Sequence, residues 1–146
     1  MDETTVRVLL VEDSAADALL IREGLRRGQR QTFRVTSVAT LRDALDVLAA
    51  EDFDIAVVDL NLPDSWGLET YASIQNVRRD MPVVVLTGHD DGEFATEALK
   101  RGAQDYLVKG TVKPELLVRS LLYAIERSRI QRSLQRLNEE LETRVA

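Results

Sequence analysis

The amino-acid sequence predicts an α/β fold: a doubly wound, five-stranded parallel sheet in the order 2-1-3-4-5, with an elongated C-terminal helix. Short apolar runs alternate five times with helix-length amphipathic stretches, which is typical of a parallel sheet covered by helices on both faces. One run differs, because Phe33–Val38 alternates polar and apolar residues and suits a half-exposed edge strand. Right-handed crossovers then place it beside the first strand.

The first two units follow from local signals. The first strand is predicted at Val6–Val11 and the first helix at 14–27, with Gly28 as its C-terminal stop. The residues of that helix expected to face the sheet are Leu19, Leu20 and Leu25. Thr40 and Asp43 have the spacing of a capping box, so they predict a second helix that runs through Ala50.

The remaining units repeat the pattern. Strands are predicted at Ile55–Asp59, Pro82–Thr87 and Asp105–Lys109. Helices are predicted at 67–78, at 93–101 before a stop at Gly102, and from Pro114, which suits a first helical turn. Pro63 and Asp64 are expected only to turn the chain into the third helix.

The last helix is longer than a single domain of this kind requires. Its sheet-facing residues are predicted to be Leu117, Leu121, Ala124 and Ile125. Further apolar residues then repeat at four-three-four spacing, namely Ile130, Leu134, Leu137 and Leu141. This is the seam of a coiled coil, so we divide the chain into a domain over 1–127 and a helical extension over 128–146. The extension would form a homodimer or link to an output domain. A single solvated helix is the alternative, because two heptads are a short pattern.

Composition narrows the class of protein. The 146 residues fit one domain with an extension, and the net charge of -6 argues against direct nucleic-acid binding. The chain has no cysteine, which excludes disulfides and is compatible with the cytoplasm, where we expect the protein. Its acidic start resembles no signal peptide. No apolar run approaches the roughly 18 to 20 residues of a membrane span, so no membrane association is expected.

Polar side chains follow four strands that are neighbours in the predicted sheet. Glu12 and Asp13 follow the first strand, Asp59 ends the third, Thr87 the fourth and Lys109 the fifth. Each alone has an ordinary explanation as a turn, a helix cap or a surface charge. Because the carboxyl ends of parallel strands share one edge, where such folds bind ligands, their joint occurrence predicts a functional site.

The residue types indicate the chemistry. Three carboxylates repel one another unless a cation neutralises them, and oxygen ligands without His or Cys favour Mg²⁺, with Mn²⁺ as a substitute. A carboxylate beside Mg²⁺ and a lysine is a credible nucleophile toward phosphorus. Phosphoryl transfer then needs mainly positioning and charge neutralisation, which Lys109 and the Thr87 hydroxyl would assist.

The sequence resembles the receiver domain of two-component response regulators over 6–127. The resemblance rests on the segments LLVEDS, VVDLNLPDSWGLE, VVLTG and GAQDYLVKG, and it implies a flavodoxin-like fold. Asp59 would accept phosphate from the phosphohistidine of a histidine kinase or phosphotransfer protein. The Mg²⁺ ligands would be Glu12, Asp13, Asp59 and the backbone carbonyl of Asn61.

The resemblance also implies a switch. Lys109 would contact the phosphoryl group, and Thr87 and Tyr106 would respond to it, although Tyr106 could be an ordinary strand aromatic. Phosphorylation would change a surface formed by the fourth helix, the fifth strand and the fifth helix. Such domains usually carry proline after the lysine. Here Gly110 follows, and a cis non-proline bond is costly, so we expect a trans bond or a reshaped loop.

Two residues and two rival functions remain open. His89 is expected to be a solvated loop residue at the pocket rim, and Trp66 to pack beside the pocket mouth or bind a partner.

A Mg²⁺-dependent phosphohydrolase with an Asp nucleophile is one rival function. Such an enzyme usually has a general acid two residues after the nucleophile. Here that position is Asn61, which cannot donate an acidic proton. A docking or dimerisation module that is never phosphorylated is the other. We expect a signalling module and not an enzyme, with only self-catalysed phosphotransfer and slow autodephosphorylation.

Overall fold

The computed structural model describes residues 5–27, 31–88, 92–110 and 112–145, with side chains up to residue 143. A parallel sheet of five strands has the order β2-β1-β3-β6-β7. Its strands are β1 Thr5–Val11, β2 Thr32–Val38, β3 Ile55–Asp59, β6 Val83–Thr87 and β7 Asp105–Val108. Two-residue strands β4 Asn61–Leu62 and β5 Ser65–Trp66 form a separate antiparallel hairpin. The predicted order 2-1-3-4-5 is confirmed, and the hairpin was not predicted.

Within the described residues, five helices cover the two faces of the sheet. They are α1 Ala15–Arg27, α2 Leu41–Ala50, α3 Leu68–Val77, α4 Gly92–Lys100 and α5 Pro114–Val145. Their bounds lie within about one residue of the predicted ones where the described residues allow comparison. Gly102 has a φ of +117°, as expected at a helix stop. Gly28 and His89 lie outside the described residues.

Alternating side chains of the strands divide the core in two. Leu9 and Val11 of β1 pack in a cluster with α2, α3 and α4 residues, while Val8 and Leu10 pack in a second cluster with α1 and α5 residues. β3 and β6 are buried along their whole lengths, because both lie inside the sheet. β2 alternates exposed and partly buried residues, which confirms the predicted edge strand.

One prediction about α1 is wrong. Leu25 is buried, but Leu19 and Leu20 are 56% and 62% exposed, and Ala18 and Gly24 face the core instead. A Cβ atom at Gly24 would lie 3.0 Å from Leu117 Cδ2, so α1 and α5 approach each other closely at this point. The close approach of α1 to α5 therefore rotates the two leucines outward.

α5 continues past the predicted boundary at residue 127 without a break. The predicted sheet-facing residues of its first half are all buried, namely Leu117, Leu121, Ala124 and Ile125. Beyond these residues, α5 still contacts the rest of the domain. Ser128 is buried, and its hydroxyl donates to the Asp80 carbonyl at 3.3 Å. Gln104 also donates to Gln131 Oε1 at 3.1 Å. The division into two units at this position stays a prediction.

Candidate functional site

Three carboxylates meet at the carboxyl edge of the sheet. One oxygen from each of Glu12, Asp13 and Asp59 lies within 4.8 Å of the other two. β1 and β3 are adjacent, so the residues that end or follow them share one position along the edge. Glu12 and Asp59 are buried, whereas Asp13 is exposed. The predicted cluster is therefore open to solvent on one side.

Lys109 neutralises part of this charge. Its ammonium Nζ lies 2.7 Å from Asp59 Oδ2 and 2.6 Å from Glu12 Oε1. β7 ends at Val108 next to β6, and the Lys109 amide donates to the Thr87 carbonyl at 2.8 Å. That backbone bond fixes where the lysine side chain begins, so the side chain reaches Asp59 across β6 and Glu12 across β6 and β3.

The site raises the pKa of both Glu12 and Lys109, which favours the neutral form of the glutamate and the charged form of the lysine. Burial and the hydrogen-bonded Asp59 raise the pKa of Glu12 from 4.5 to about 7, against the opposing effect of Lys109. Burial alone would lower the pKa of Lys109, but its bonds to Asp59 and Glu12 outweigh burial and raise it. The ammonium therefore stays charged at neutral pH, while Glu12 retains a proton for part of the time.

The donor set fits a hard divalent cation. Three carboxylates without a His or Cys ligand favour Mg²⁺ or Mn²⁺, and three acids beside one ammonium leave a net negative charge that such an ion would offset. The Asn61 amide N–H donates to Asp59 Oδ1 at 3.0 Å, which orients that carboxylate. Asn61 Oδ1 is buried and has no hydrogen-bond partner among the described residues.

The two predicted switch residues lie on adjacent strands with opposite exposure. Thr87 is buried, and its hydroxyl donates to the Leu107 carbonyl at 3.4 Å. Tyr106 is 41% exposed on β7. The Tyr106 ring therefore points away from the core in this structure, and the bond that the Thr87 hydroxyl makes to Leu107 is a long one.

The loop after Lys109 departs from the usual proline-containing form. The described residues include no cis peptide bond, so the Lys109–Gly110 bond is trans, as one of the two expectations proposed. Gly110 has a φ of +81°, a conformation that L residues other than glycine rarely adopt. Glycine thus allows the chain to turn from β7 toward α5 at this position.

The segment after Asp59 does more than turn the chain. The Asp64 carboxylate accepts the amides of Leu41 at 2.9 Å and Arg42 at 3.0 Å, so it caps the start of α2 together with Thr40. These two bonds lower the pKa of Asp64. The expectation that Asp64 only turns the chain was wrong, because the contact spans 23 residues and has no local signature.

Trp66 sits on the hairpin that follows Asp59. It is 63% exposed, and its ring meets Phe94 of α4 edge-to-face at 5.1 Å between centroids. Trp66 also pairs with Asn61 across the hairpin. The tryptophan thus bridges the segment that contains the Asp59 partner Asn61 and the first turn of α4.

A fourth acid joins the site, and sequence reasoning missed it. Asp17 Oδ2 lies 3.5 Å from Lys109 Nζ. Asp17 lies in the first turn of α1, which begins directly after the cluster residues Glu12 and Asp13. The sequence alone carries no local signal that this acid reaches Lys109.

The five-stranded parallel sheet, with acidic residues and a lysine at its carboxyl edge, defines a doubly wound α/β domain that has a charged site at this edge. The chain belongs to the response regulator receiver domain family, whose model matches residues 8–121. It is therefore a receiver domain of two-component response regulators, in which a phosphoryl group serves as the signal. Members of this family interact with histidine kinases and bind Mg²⁺ at an acidic pocket.

Two curated relatives and one solved structure illustrate the match. The response regulator MprA of Mycolicibacterium vanbaalenii is 36% identical over 115 residues, which cover 78% of this chain and 48% of MprA. The transcriptional regulatory protein BasR of Escherichia coli is 36% identical over 114 residues, which cover 78% of this chain and 50% of BasR. The chain thus spans at most about half the length of these relatives.

The solved structure is a CheY-like response regulator receiver domain protein from Methanospirillum hungatei. It shares 24% identity with a TM-score of 0.74, over 87% of this chain and 98% of that one. This similarity supports the fold. Across the described ranges, no helix has both the length and the apolar character needed to cross a bilayer.

Proposed function

We propose that Asp59 is the phosphoacceptor of this receiver domain. The observation that carries the proposal is the position of Lys109, whose ammonium contacts both Asp59 and Glu12 at hydrogen-bond distance. A carboxylate held beside a cation, at the open edge of a sheet, is suited to attack phosphorus. Asp59 is also the carboxylate that the Asn61 amide orients.

The reaction follows from these contacts. An oxygen of Asp59 attacks the phosphorus of a phosphohistidine on the partner kinase or phosphotransfer protein. The new O–P bond forms as the P–N bond breaks, and the imidazole leaves with the electron pair of that bond. Lys109 then moves from the carboxylates to an oxygen of the phosphoryl group, where its positive charge offsets the charge that has arrived.

Glu12, Asp13, Asp59 and the backbone carbonyl of Asn61 would hold Mg²⁺. The ion would supply charge neutralisation for the acidic cluster and for the phosphoryl oxygens. The three carboxylates are close enough to share one ion, and Lys109 would give up its contact with Glu12 when the ion binds. We expect self-catalysed phosphotransfer and slow autodephosphorylation, without turnover of a separate substrate.

Thr87 and Tyr106 would form the switch. The Thr87 hydroxyl has a long bond to the Leu107 carbonyl, which a phosphoryl oxygen would replace with a shorter one. The space that the hydroxyl vacates would then admit the exposed Tyr106 ring. The surface of α4, β7 and α5 would change with it, and the helical extension would pass that change to a homodimer or a further domain.

The partner kinase would dock on α1. The exposed Leu19 and Leu20 line a groove of about 370 Å³ that also includes Lys109, Gly110 and Pro114. Exposed apolar side chains beside the lysine of the proposed site suit an interaction surface better than they suit a helix that only faces solvent. Docking there would bring a phosphohistidine to the same edge of the sheet as Asp59.

A direct test combines a small phosphodonor with intact mass measurement. Wild-type protein treated with Mg²⁺ and phosphoramidate should gain one phosphoryl group, and Asp59→Asn should gain none. The exposed Asp46→Asn is the matched control and should behave as wild type. Phosphorylation of Asp59→Asn at the wild-type rate would contradict the assignment, as would the failure of wild-type protein to bind Mg²⁺ by calorimetry.

A further inference from the structure

One acid at the site contacts Lys109 without belonging to the carboxylate cluster. Asp17 Oδ2 lies 3.5 Å from Lys109 Nζ. The oxygens that are close enough to share one ion come from Glu12, Asp13 and Asp59. Within the described part of the chain, three acids contact the ammonium of Lys109. Asp17 is the one among them that the proposed Mg²⁺ ligands do not include.

We propose that Asp17 is a positioning residue for Lys109, which keeps the ammonium beside Asp59 while Mg²⁺ is bound. The proposal rests on the proposed function, because it uses the Mg²⁺ ligands and the phosphoacceptor assigned there. Glu12 and Asp59 would serve the ion as ligands, and they are also the acids that the ammonium contacts most closely. Asp17 is then the acid contact that Lys109 can keep.

The first turn of α1 leaves the Asp17 carboxylate available to the lysine. Ser14 and Asp17 have the spacing of a capping box, in which the acid would accept the amide of the serine. The structure has a different arrangement, because the Ser14 amide donates to Glu12 Oε2 at 3.3 Å. The Ser14 hydroxyl accepts the Asp17 amide at 3.2 Å. The serine therefore caps the helix, and the carboxylate of Asp17 contacts Lys109.

Lys109 benefits from such a contact because its side chain is flexible. Lysine carries a point charge on a four-carbon stem and has a large rotamer entropy. A charge that must meet a phosphoryl oxygen is more effective when it is already held near that position. The Lys109 side chain is 23% exposed, so the ammonium could turn toward solvent once its buried partners serve the metal.

The contact is weak enough to release the lysine. Its length of 3.5 Å exceeds the 2.6 Å to Glu12 and the 2.7 Å to Asp59. The Asp17 side chain is also 34% exposed, so water can replace the ammonium when it moves to the phosphoryl group. Since ion pairs between exposed side chains contribute little, we expect Asp17 to change rates and equilibria by about two- to fivefold.

Two other roles of Asp17 predict different results. An acid in the first turn of a helix stabilises that helix through its dipole, and this effect would not depend on Lys109. An acid near the site also repels an anionic phosphodonor, so its removal would accelerate phosphorylation. A positioning role predicts instead that the effect of Asp17 depends on the lysine and that its removal slows the reaction.

A double-mutant cycle separates the contact from the helix dipole. The free energy of unfolding in urea is measured for wild type, Asp17→Asn, Lys109→Met and the double variant, each with and without saturating Mg²⁺. We expect a coupling equivalent to about a two- to fivefold change in the unfolding equilibrium under both conditions. A coupling that disappears when Mg²⁺ is added, or that is absent under both conditions, would overturn the proposal.

Glu69→Gln is the matched control for the cycle. It removes an exposed acid from the first turn of another helix, α3, so it reproduces the loss of the dipole effect without the contact. It should show no coupling to Lys109→Met. A coupling as large as that of Asp17→Asn would show a general charge effect and would also overturn the proposal.

Phosphorylation by phosphoramidate with Mg²⁺, followed by intact mass against time, tests the effect on the reaction. Asp17→Asn should react about two- to fivefold more slowly than wild type, and Asp17→Glu should recover most of the rate. Glu69→Gln should equal wild type. In the Lys109→Met background, Asp17→Asn should have no further effect, because Asp17 acts through the lysine. A rate for Asp17→Asn that equals or exceeds that of wild type would overturn the proposal.

The outcome is separable from the phosphoacceptor assignment. If phosphoramidate does not modify the wild-type protein, the assignment of Asp59 is contradicted, whereas a coupling that persists with Mg²⁺ would still support the position of Lys109. If Asp59 is modified and Asp17→Asn reacts at the wild-type rate, the phosphoacceptor stands and the role of Asp17 alone is overturned.

Discussion

Lys109 Nζ lies 2.7 Å from Asp59 Oδ2, across the intervening strand β6. The same ammonium contacts Glu12 at 2.6 Å and Asp17 at 3.5 Å, so one lysine serves three carboxylates. It occupies the place where positive charge is most needed before a metal or a phosphoryl group arrives. The lysine thus links the stability of the unmodified domain to the chemistry of its site.

Mg²⁺ should offset the effect of losing this ammonium on stability, but not its effect on phosphorylation. Lys109→Met leaves the carboxylates uncompensated, and we expect the free energy of unfolding to fall by about 1 to 3 kcal/mol without Mg²⁺, less than for a fully buried pair. Mg²⁺ should restore most of that loss. The rate of phosphorylation by phosphoramidate should fall on the order of 10²-fold even with Mg²⁺.

Urea unfolding with and without Mg²⁺ measures the first effect, and intact mass against time measures the second. Lys100→Met is the matched control, because Lys100 is exposed and its pair with Glu97 is long at 3.7 Å. Unchanged phosphorylation in Lys109→Met would contradict the role proposed for the lysine.

Mg²⁺ binding should weaken as the pH falls through about 7. Burial and Asp59 raise the pKa of Glu12 to about 7, so a proton competes with the metal for this ligand while Asp13, Asp17 and Lys109 surround it. Between about pH 8 and pH 6 the affinity should fall up to about tenfold, since one unit below its pKa a group is about one-tenth ionised. Titration calorimetry in two buffers should show proton release at the lower pH.

The same shift predicts the sign of a stability change. Because the pKa of Glu12 is higher in the folded state than its ordinary value of 4.5, the folded protein binds more protons between 4.5 and about 7. The contribution of Glu12 to stability without Mg²⁺ should therefore decline as the pH rises through that window. Glu12→Gln should remove this component, and an unchanged pH profile in Glu12→Gln would contradict the shift.

Loss of the Asp64 cap should destabilise α2 in a way that depends on pH. Its bonds to the Leu41 and Arg42 amides lower its pKa, so its contribution is present above the ordinary value of 3.8 and is lost as the pH falls through the lowered one. Asp64→Asn should be less stable than wild type at neutral pH, and the difference should shrink in acid. Asp46→Asn, on the same helix, is the control; equal unfolding midpoints for wild type and Asp64→Asn at neutral pH would refute the cap.

The contact between Trp66 and Phe94 should report on the site. Phe94→Leu keeps an apolar side chain but removes the ring, so the emission of Trp66 should change. The response of Trp66 to beryllofluoride should also shrink if the tryptophan follows α4. Leu99→Ala on the same helix is the control. A response in Phe94→Leu equal to that of wild type would show that the ring contact does not carry it.

The strand ends could be predicted from sequence because they depend on local patterns. Asp59 and Lys109 each end a short apolar run, and the parallel order of the sheet brings such ends together. The orientation of Leu19 and Leu20 could not, because it depends on how closely α1 approaches α5 at Gly24. A helical pattern that contains both small and large apolar residues leaves the buried face ambiguous until its neighbour is known.

The roles of Asp64 and Asp17 could not be predicted from the sequence, for a related reason. Each acts across a distance in the chain that no local pattern encodes, on α2 in one case and on Lys109 in the other. Leu116 and Tyr123 of α5 are exposed, and the sequence did not single them out because they lie among residues that face the core. Only the fold separates the buried leucines of α5 from the exposed ones.

The unbroken course of α5 has a mechanical consequence. Ser128 is the last buried residue of the helix among those whose side chains are described, and about 17 residues, or roughly 26 Å of helix, follow it. A tilt of about 10° at the body would displace the far end of such a lever by roughly 4 to 5 Å. Ångström-scale rearrangements around Asp59 would thus arrive at the tip of the helix as motions comparable to one helical turn.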